Sequence, residues 1–320
     1  MMPTTTELRP VHPFEPVRTA TQPEGRQWTA QIKWDGVRML TYYDGSNTRL
    51  VNRNLNDRTL QYPELLDVRT YCRANSVILD GEIIAFQENR PSFYEVMKRD
   101  RLRAVPSIKA ASARTPVTYM IFDILYQNGA WVIDKTLAER QALLQSLIIP
   151  RPNIQLVQNA ADGEALFHLM KQYGMEGIMY KDLGSAYAIN GKDGRWRKRK
   201  VFHDLIAVIG GVTLRDRLVN SLLLGVYTES GQLQYIGHAG GGKLTRKDWT
   251  AITEMAAGLR AERMPFANTP ERSKDAVWIT PALTVKVEYL ELTPGGTMRH
   301  PTLQAIVDRP GKDCTTDQLS

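Results

Sequence analysis

From residue 203 onward the apolar residues arrive in short runs. LIAVIGGV, SLLLGVY, LQYIGHA and LTVKVEYLEL each read as a strand, turns separate them, and one helical stretch interrupts them near 246–260. Strands this short, following one another this quickly, bury their apolar sides best in a sheet closed on itself, so a small β-barrel is expected. The first two hundred residues have another texture, with strands and helices mixed. The chain is therefore expected to hold an α+β domain over 1–202 and a barrel over 203–320, each long enough for its own core.

Within the first part, residues 1–27 carry five prolines and little periodicity, and read as an extended lead-in. WTAQIK alternates, VRMLTYY follows, and Asp44-Gly45 turns the chain into TRLVNR. VILDGEIIAF (77–86) reads as a pair of strands about Gly81, and VTYMIFDILY (117–126) as a buried strand. PSFYEVMKRDRL is expected to be helical, with Ser92 and Glu95 as a capping box. TLAERQALLQSLI is the clearest helix: Thr136 and Glu139 form a second box, and Leu137, Leu143, Leu144 and Leu147 line one face. A further helix runs from Asp162 to Tyr173 and stops at Gly174. EGIMYK and RWRKRKV then read as strands.

Forty-one Lys and Arg against 34 Asp and Glu give a net charge of +7, a balance that favours a polyanionic partner. Hydrophobic residues at 42% exclude a disordered chain. No apolar run approaches the ~18 residues of a membrane span, and MMPTTTELRP lacks the apolar core of a secretory signal. Cys72 and Cys314 are too few for a disulfide framework, and the five histidines form no HExxH pair. A cytoplasmic, reducing compartment and no membrane partner are expected.

The central chemical signal is Lys33-Trp34-Asp35-Gly36-Val37-Arg38. Alternation puts Trp28, Ala30 and Ile32 on one face and Gln31 and Lys33 on the other, so the lysine can enter a cavity while its neighbours pack a core. Asp35-Gly36 then returns Arg38 towards that cavity. Alone, such a stretch reads equally well as a solvated hairpin turn. It is followed, in order, by Arg53, Leu79-Asp80-Gly81-Glu82, Phe122, Glu176-Gly177 and Trp196-Arg197-Lys198-Arg199-Lys200. In a strand Trp196, Lys198 and Lys200 share a face, so two ammonium groups converge where a phosphate could sit. The plain reading of WRKRK is a solvated basic edge strand.

This ordered set resembles the covalent nucleotidyltransferases, and in particular the ATP-dependent DNA ligases. KWDGVR is similar to the nucleophile motif, and the segments at Arg53, LDGE, Phe122, EGIMYK and W-x-K-x-K are similar to the motifs that follow it. ALTVKVEYLELTPGGTMRHPTL resembles the ligase domain of bacterial ligase D enzymes, and phage ligases end similarly. The resemblance implies a nucleotidyltransferase (adenylation) domain of antiparallel sheets with helices, followed by an OB-fold barrel. It departs at Gln31, where these ligases often have Glu, although an amide oxygen still accepts from the adenine amino group. Near the C-terminus Ile306 stands where the family usually has Arg ahead of an Asp-Lys pair, so Arg299 is taken as the cation of the last motif.

The resemblance implies three steps: Lys33 attacks the α-phosphorus of ATP, AMP passes to a DNA 5′-phosphate, and a 3′-hydroxyl displaces it. The lysine must lose its proton to attack, which neighbouring cations and a metal favour. By resemblance Lys33 and Asp35 are catalytic. ATP contacts fall to Gln31, Ile32, Lys33, Arg38, Arg53, Glu82, Phe122, Lys198, Lys200 and Arg299. Within that set Arg38 and Glu82 hold the ribose, Phe122 stacks on adenine, and Lys198 and Lys200 bind the α-phosphate. Glu176 and Glu82 place Mg²⁺ or Mn²⁺. Nicked duplex DNA is the implied partner of a monomeric, nucleoid-associated enzyme, with a Ku-like or other repair partner open. An RNA ligase or an mRNA-capping guanylyltransferase of the same superfamily is the alternative. Gly237-His238-Ala239-Gly240-Gly241-Gly242-Lys243 almost spells a phosphate loop, but Leu244 stands where a Ser or Thr must follow. It is expected to be a barrel turn.

Overall fold

The computed structural model describes residues 8–88, 90–271 and 273–319. The opening seven residues, on which the expectation about a secretory signal partly rests, lie outside them. The chain divides into two compact units, Met1–Val201 and Phe202–Ser320.

The strands of the first unit are β1 (Glu15–Arg18), β2 (Trp28–Ile32), β3 (Val37–Tyr43), β4 (Thr48–Asn52), β5 (Val77–Gln87), β6 (Arg90–Pro91), β7 (Val117–Gln127), β8 (Ala130–Trp131), β9 (Ile154–Leu156), β10 (Gly177–Asp182) and β11 (Lys192–Lys200). Its helices are α1 (Phe93–Asp100), α2 (Val105–Arg114), α3 (Leu137–Leu147) and α4 (Gly163–Gln172). A small sheet runs β1-β11-β10-β2, and a larger one β4-β3-β5-β7-β8, with β6 on β5 and β9 on β7.

Alternation along the strands builds the layers. On the small sheet Ala30, Ile178 and Tyr180 pack on Met170 of α4. Its opposite face, with Met179 and Trp196, meets Leu40, Tyr42, Ile78 and Leu125 of the larger sheet. The far face of that sheet, with Met39, Leu79, Ile83 and Ile121, is covered by Val96 of α1 and by Leu144 and Leu147 of α3. The first unit is thus helix, sheet, sheet, helix. The space between the sheets collects the side chains of one parity from each.

Four local expectations change. The lead-in contains β1, which pairs parallel with β11. The 77–87 segment is one continuous strand, because Gly81 serves close approach rather than a turn: a side chain there would come within 2.5 Å of the Tyr119 ring and 2.7 Å of the Met120 carbonyl. At α1 only half the capping box forms. Ser92 accepts from the Glu95 N–H, while the Glu95 carboxylate binds Lys98 at 2.5 Å. Finally, β2 and β3 lie in different sheets, so KWDG is a crossing between layers rather than a hairpin turn.

The second unit contains β12 (His203–Arg215), β13 (Leu218–Tyr227), β14 (Leu233–Ala239), α5 (Arg246–Gly258), β15 (Val277–Trp278), β16 (Thr284–Tyr289) and β17 (Thr302–Val307). Its sheet order is β14-β13-β12-β16-β17, with β15 on β12. The glycine run after β14 joins β17: the Lys243 N–H donates to the Leu303 carbonyl at 2.7 Å, and the Leu303 N–H to that of Gly241 at 2.9 Å. Gly242 has φ +149°, and a side chain there would strike the Leu303 carbonyl. The would-be phosphate loop is the joint that closes the barrel. Thr245 and Asp248 form a full capping box on α5, which buries Ile252 and Ala256 in the barrel core. Among the described residues no helix is long and apolar enough to cross a membrane. Both cysteines are free and buried.

Candidate active site

Lys33 stands one residue past β2, where the chain leaves the small sheet. Its N–H donates to the Gly177 carbonyl at 3.0 Å, continuing the β2–β10 ladder by one rung. Its ammonium is paired with Glu176 Oε2. The other oxygen, Oε1, takes the Lys200 ammonium at 2.6 Å. One carboxylate, 5% exposed, thus holds the two amines, which are 21% and 19% exposed. Burial alone would raise the Glu176 carboxyl, but Lys33 and Lys200 outweigh it and hold it below the usual range.

The W-x-K-x-K strand divides as alternation requires. Trp196 lies in the inter-sheet cluster, and in register Lys198 stands opposite Met179 and Lys200 opposite Gly177. Arg197 and Arg199 turn to the helix side, over Trp28 at 4.8 Å and over Phe167 at 3.8 Å. Burial and the cations of Lys33 and Lys200 press the Lys198 ammonium below its ordinary value. Gly177, at φ +138°, lets the two strands close here: a side chain would strike the Arg199 carbonyl.

From the larger sheet come Arg38 and Glu82, paired in register across β3 and β5. Burial pushes the Glu82 carboxyl up to about 8. Lys33 and Arg38 offset this in part, and Glu176 and Asp35 reinforce it. Asp35 and Glu176 therefore lie within electrostatic reach of Glu82. Gly36 beside Asp35 has no room for a side chain, which would strike the Ile83 carbonyl. Arg53 is exposed just beyond β4, whose last residue, Asn52, pairs with Met39, so it emerges at the Arg38 end of the sheet.

Arg38 is tied into the protein itself. Nε and Nη2 donate to the two oxygens of Asp80 at 2.9 and 2.6 Å, and Nη1 to the Phe14 carbonyl at 2.7 Å. Tyr187 donates its hydroxyl to Asp80 at 2.8 Å. The expected ribose contact thus falls on a guanidinium already engaged in a buried fork. Phe122 is the extra residue of a bulge, since Asp80 faces Asp123 while Gly81 faces Ile121. The bulge turns Phe122 into the space between the sheets, edge-on to Trp196 at 5.9 Å. Gln31 is buried and donates its amide N–H to Asn159 Oδ1 at 2.9 Å, leaving its oxygen as the acceptor. Ile32 pairs with Ile178. Arg299 lies in the second unit, bonded to Glu291 at 2.6 Å.

Two buried groups escaped the sequence reading of the site, while for a third, Lys181, alternation within EGIMYK predicts the face opposite Glu176. Asp80 was visible in LDGE, but only as a neighbour of Glu82. Asp123 takes a bidentate Arg140 at 2.7 and 3.0 Å, with both side chains fully buried. Lys181 is buried with no hydrogen-bond partner for its amine, 4.1 Å from the Phe122 ring centre and 3.9 Å from that of Trp196.

A lysine one residue past β2 held by a buried carboxylate, with two further lysines on one strand, is the arrangement that the resemblance to the covalent nucleotidyltransferases implies. Two family patterns divide this chain between them: "ATP dependent DNA ligase domain" matches residues 11–200, and "ATP dependent DNA ligase C terminal region" matches 215–308. The chain belongs to the ATP-dependent DNA ligase family. It is 31% identical over 294 residues to the "Multifunctional non-homologous end joining DNA repair protein LigD" of Mycobacterium tuberculosis, covering 89% of this chain and 36% of that protein. It is likewise 31% identical over 250 residues to "DNA ligase 2" of Methanosarcina acetivorans, covering 72% and 44%. The crystal structure of the ligase domain from M. tuberculosis LigD is similar at a TM-score of 0.53 and 26% identity, over 97% of this chain and 98% of that one. A Lig E DNA ligase shares the fold at a TM-score of 0.59 and 17% identity, over 92% and 99%. The architecture is the nucleotidyltransferase domain followed by the OB-fold domain of these ligases. The chain spans about a third of the length of the LigD relatives it matches.

Proposed function

We propose that this chain seals breaks in duplex DNA with ATP, through an AMP carried on Lys33. The observation that carries the reading is the Lys33–Glu176–Lys200 cluster. Lys33 attacks the α-phosphorus; an N–P bond forms, the P–O bond to pyrophosphate breaks, and the amine gives up a proton. The AMP then passes to a 5′-phosphate, and a 3′-hydroxyl displaces it. Phosphoryl transfer of this kind is governed by positioning and charge neutralisation. Lys198 and Lys200 neutralise the α-phosphate, Phe122 and the Gln31 oxygen address the base, Glu82 the ribose, and Arg53 the phosphates. Asp35 assists at the nick.

Among the described residues no three metal-binding side chains cluster together. The donors present are hard oxygens, and Mg²⁺ is commonly held by one or two carboxylates together with substrate phosphates. Glu176 and Glu82 would fill that part once the ion displaces the ammonium groups from the one and the proton from the other. The ion would supply neutralising charge on the triphosphate.

The names of the LigD relatives mention non-homologous end joining, which makes repair the favoured setting for this chain and a Ku-like protein a partner to test. The same reading makes it a monomer acting on cytoplasmic, nucleoid-bound DNA. The test is to incubate the full chain with labelled ATP or GTP and Mg²⁺, then with nicked, cohesive, blunt and RNA-containing ends. Covalent labelling by ATP and sealing of DNA nicks is expected. Labelling by GTP would make the chain a capping-type enzyme, sealing of RNA alone an RNA ligase, and DNA binding without an adduct an adaptor.

A further inference from the structure

The segment from Met97 to Pro116 contains six cations, Lys98, Arg99, Arg101, Arg103, Lys109 and Arg114, and one acid, Asp100. The fold sorts them into two layers. The inner layer is spent on the protein. Arg99 is 1% exposed and binds Glu64, the Gln61 carbonyl at 2.7 Å and the Thr115 carbonyl at 3.2 Å. Asp100 is 4% exposed and takes the Arg58 guanidinium at 3.0 Å and the Tyr62 hydroxyl at 3.2 Å. Gln61 donates to the Leu102 carbonyl at 2.8 Å, pinning the turn between α1 and α2. The one acid of the segment is thus buried and taken.

The outer layer is left to solvent. Lys98, Arg101, Arg103, Lys109 and Arg114 are all exposed, and of these Lys98 pairs with Glu95. Besides its cations, α2 exposes Val105, at 63%, and the smaller Pro106, Ser107, Ala110 and Ala113. Past Val105 only small side chains lie beside Lys109 and Arg114. A helix pair fixed from beneath by buried ion pairs, cationic above and low in relief, suits a polymer of evenly spaced phosphates. It differs from a solvated charge run, in which both signs mix and long side chains pair locally. Its position agrees. β6 leads into α1, and the Arg90 guanidinium on β6 lies 3.6 Å from where a side chain on Gly174 would begin. Gly174 is two residues ahead of Glu176, so β6, which leads into α1, approaches the turn that precedes Glu176.

We infer that the outer face of α1–α2 is a binding surface for the phosphate backbone of duplex DNA, lengthening the footprint beyond the reacting ends. The inference rests on the DNA-joining reading above.

The test uses the full chain with Arg101, Arg103, Lys109 and Arg114 replaced together by Gln. These side chains are exposed, so the melting temperature should hold. Lys33 labelling by ATP should stay within about two-fold, since none of the four belongs to the candidate site. Binding of a nicked duplex, titrated across a range of salt, should weaken about ten-fold or more at moderate salt. The slope of log affinity against log salt should become shallower by roughly 2–3.6, at ~0.9 for each phosphate the protein no longer neutralises. Unchanged slope and affinity in a variant that still forms the AMP adduct overturns the ridge and leaves the ligase reading standing. Absence of the adduct in the unaltered chain overturns that reading instead. Weakened binding with an unchanged slope also overturns the ridge, because the loss would not come from released counterions.

Discussion

Lys33 and Glu176 are joined twice over: the side chains form an ion pair, and the Lys33 N–H donates to the carbonyl of Gly177, the residue after Glu176. The backbone bond belongs to the β2–β10 ladder and does not depend on the lysine side chain. Lys33→Ala should therefore abolish the AMP adduct while shifting the melting temperature by no more than about 2 °C. Glu176 keeps Lys200 as a partner, so no buried carboxylate is left uncompensated. Labelled ATP on a denaturing gel, with a melting curve, checks both halves. An adduct at normal yield would sink the nucleophile assignment.

Arg38 and Asp80 set a different expectation. Their fork is buried from both sides, with the side chains 11% and 0% exposed. Removing one charge of such a pair strands the other. Asp80→Asn should cost about 3–5 kcal/mol, or roughly 10 °C in melting temperature. Adenylation should fall in step with the folded fraction and recover on cooling. Normal stability with lost adenylation would instead assign Arg38 to the nucleotide.

Lys181 makes stability depend on pH in a direction that can be worked out. Burial presses its amine down to about 7 from an ordinary 10.5, with Asp123 and Asp80 opposing and Arg38 and Arg140 adding to the effect. Between those values the unfolded chain holds a proton that the folded chain has released. The cost of burying the lysine is then full below about pH 7 and fades as pH rises towards 10.5. Lys181→Met, of similar length, should melt several degrees higher than the unaltered protein at pH 6, roughly 2–4 °C per kcal/mol. The gap should narrow above pH 7 and close only near pH 10.5. Melting curves across that range test it, and a gap independent of pH would mean that the amine does not titrate there.

Arg299 is held by Glu291, which is 41% exposed, so the pair itself is worth about 0–1 kcal/mol. If its cation aligns the leaving pyrophosphate, Arg299→Ala should lower self-adenylation about ten-fold or more, the scale of a single charge-assisted hydrogen bond. Sealing of a pre-adenylated nick should stay near normal, because pyrophosphate has already left. Glu291→Ala should leave both steps within about three-fold. Measuring the two steps separately decides it; equal loss in both, with earlier melting, would make Arg299 a brace for the barrel.

Much of the site was legible because strands have period two. Trp196, Lys198 and Lys200 on one face and Arg197 and Arg199 on the other follow from alternation, as does the split of Ala30 from Gln31. Helix ends were legible where a hydroxyl and a carboxylate stand three residues apart, as at Thr136 and Glu139. The same pattern at Ser92 and Glu95 formed only in part, because Lys98 lies one turn on and takes the carboxylate.

What the sequence by itself determined is which side chains are chemically available, in what order, and on which face of their own strand. Those are local properties, written in spacing of one to four residues. Only the tertiary structure decided which faces meet. It set the large sheet against the small one, sent KWDG across the gap instead of round a hairpin, and made Gly81 a contact rather than a turn. It also gave Arg38 to Asp80, closed an amine between Phe122 and Trp196, and left five cations of the α1–α2 segment outside while burying Arg99 beneath them. These outcomes depend on partners tens of residues away, where burial makes an unpaired charge costly and a missing β-carbon valuable, and no local pattern records either.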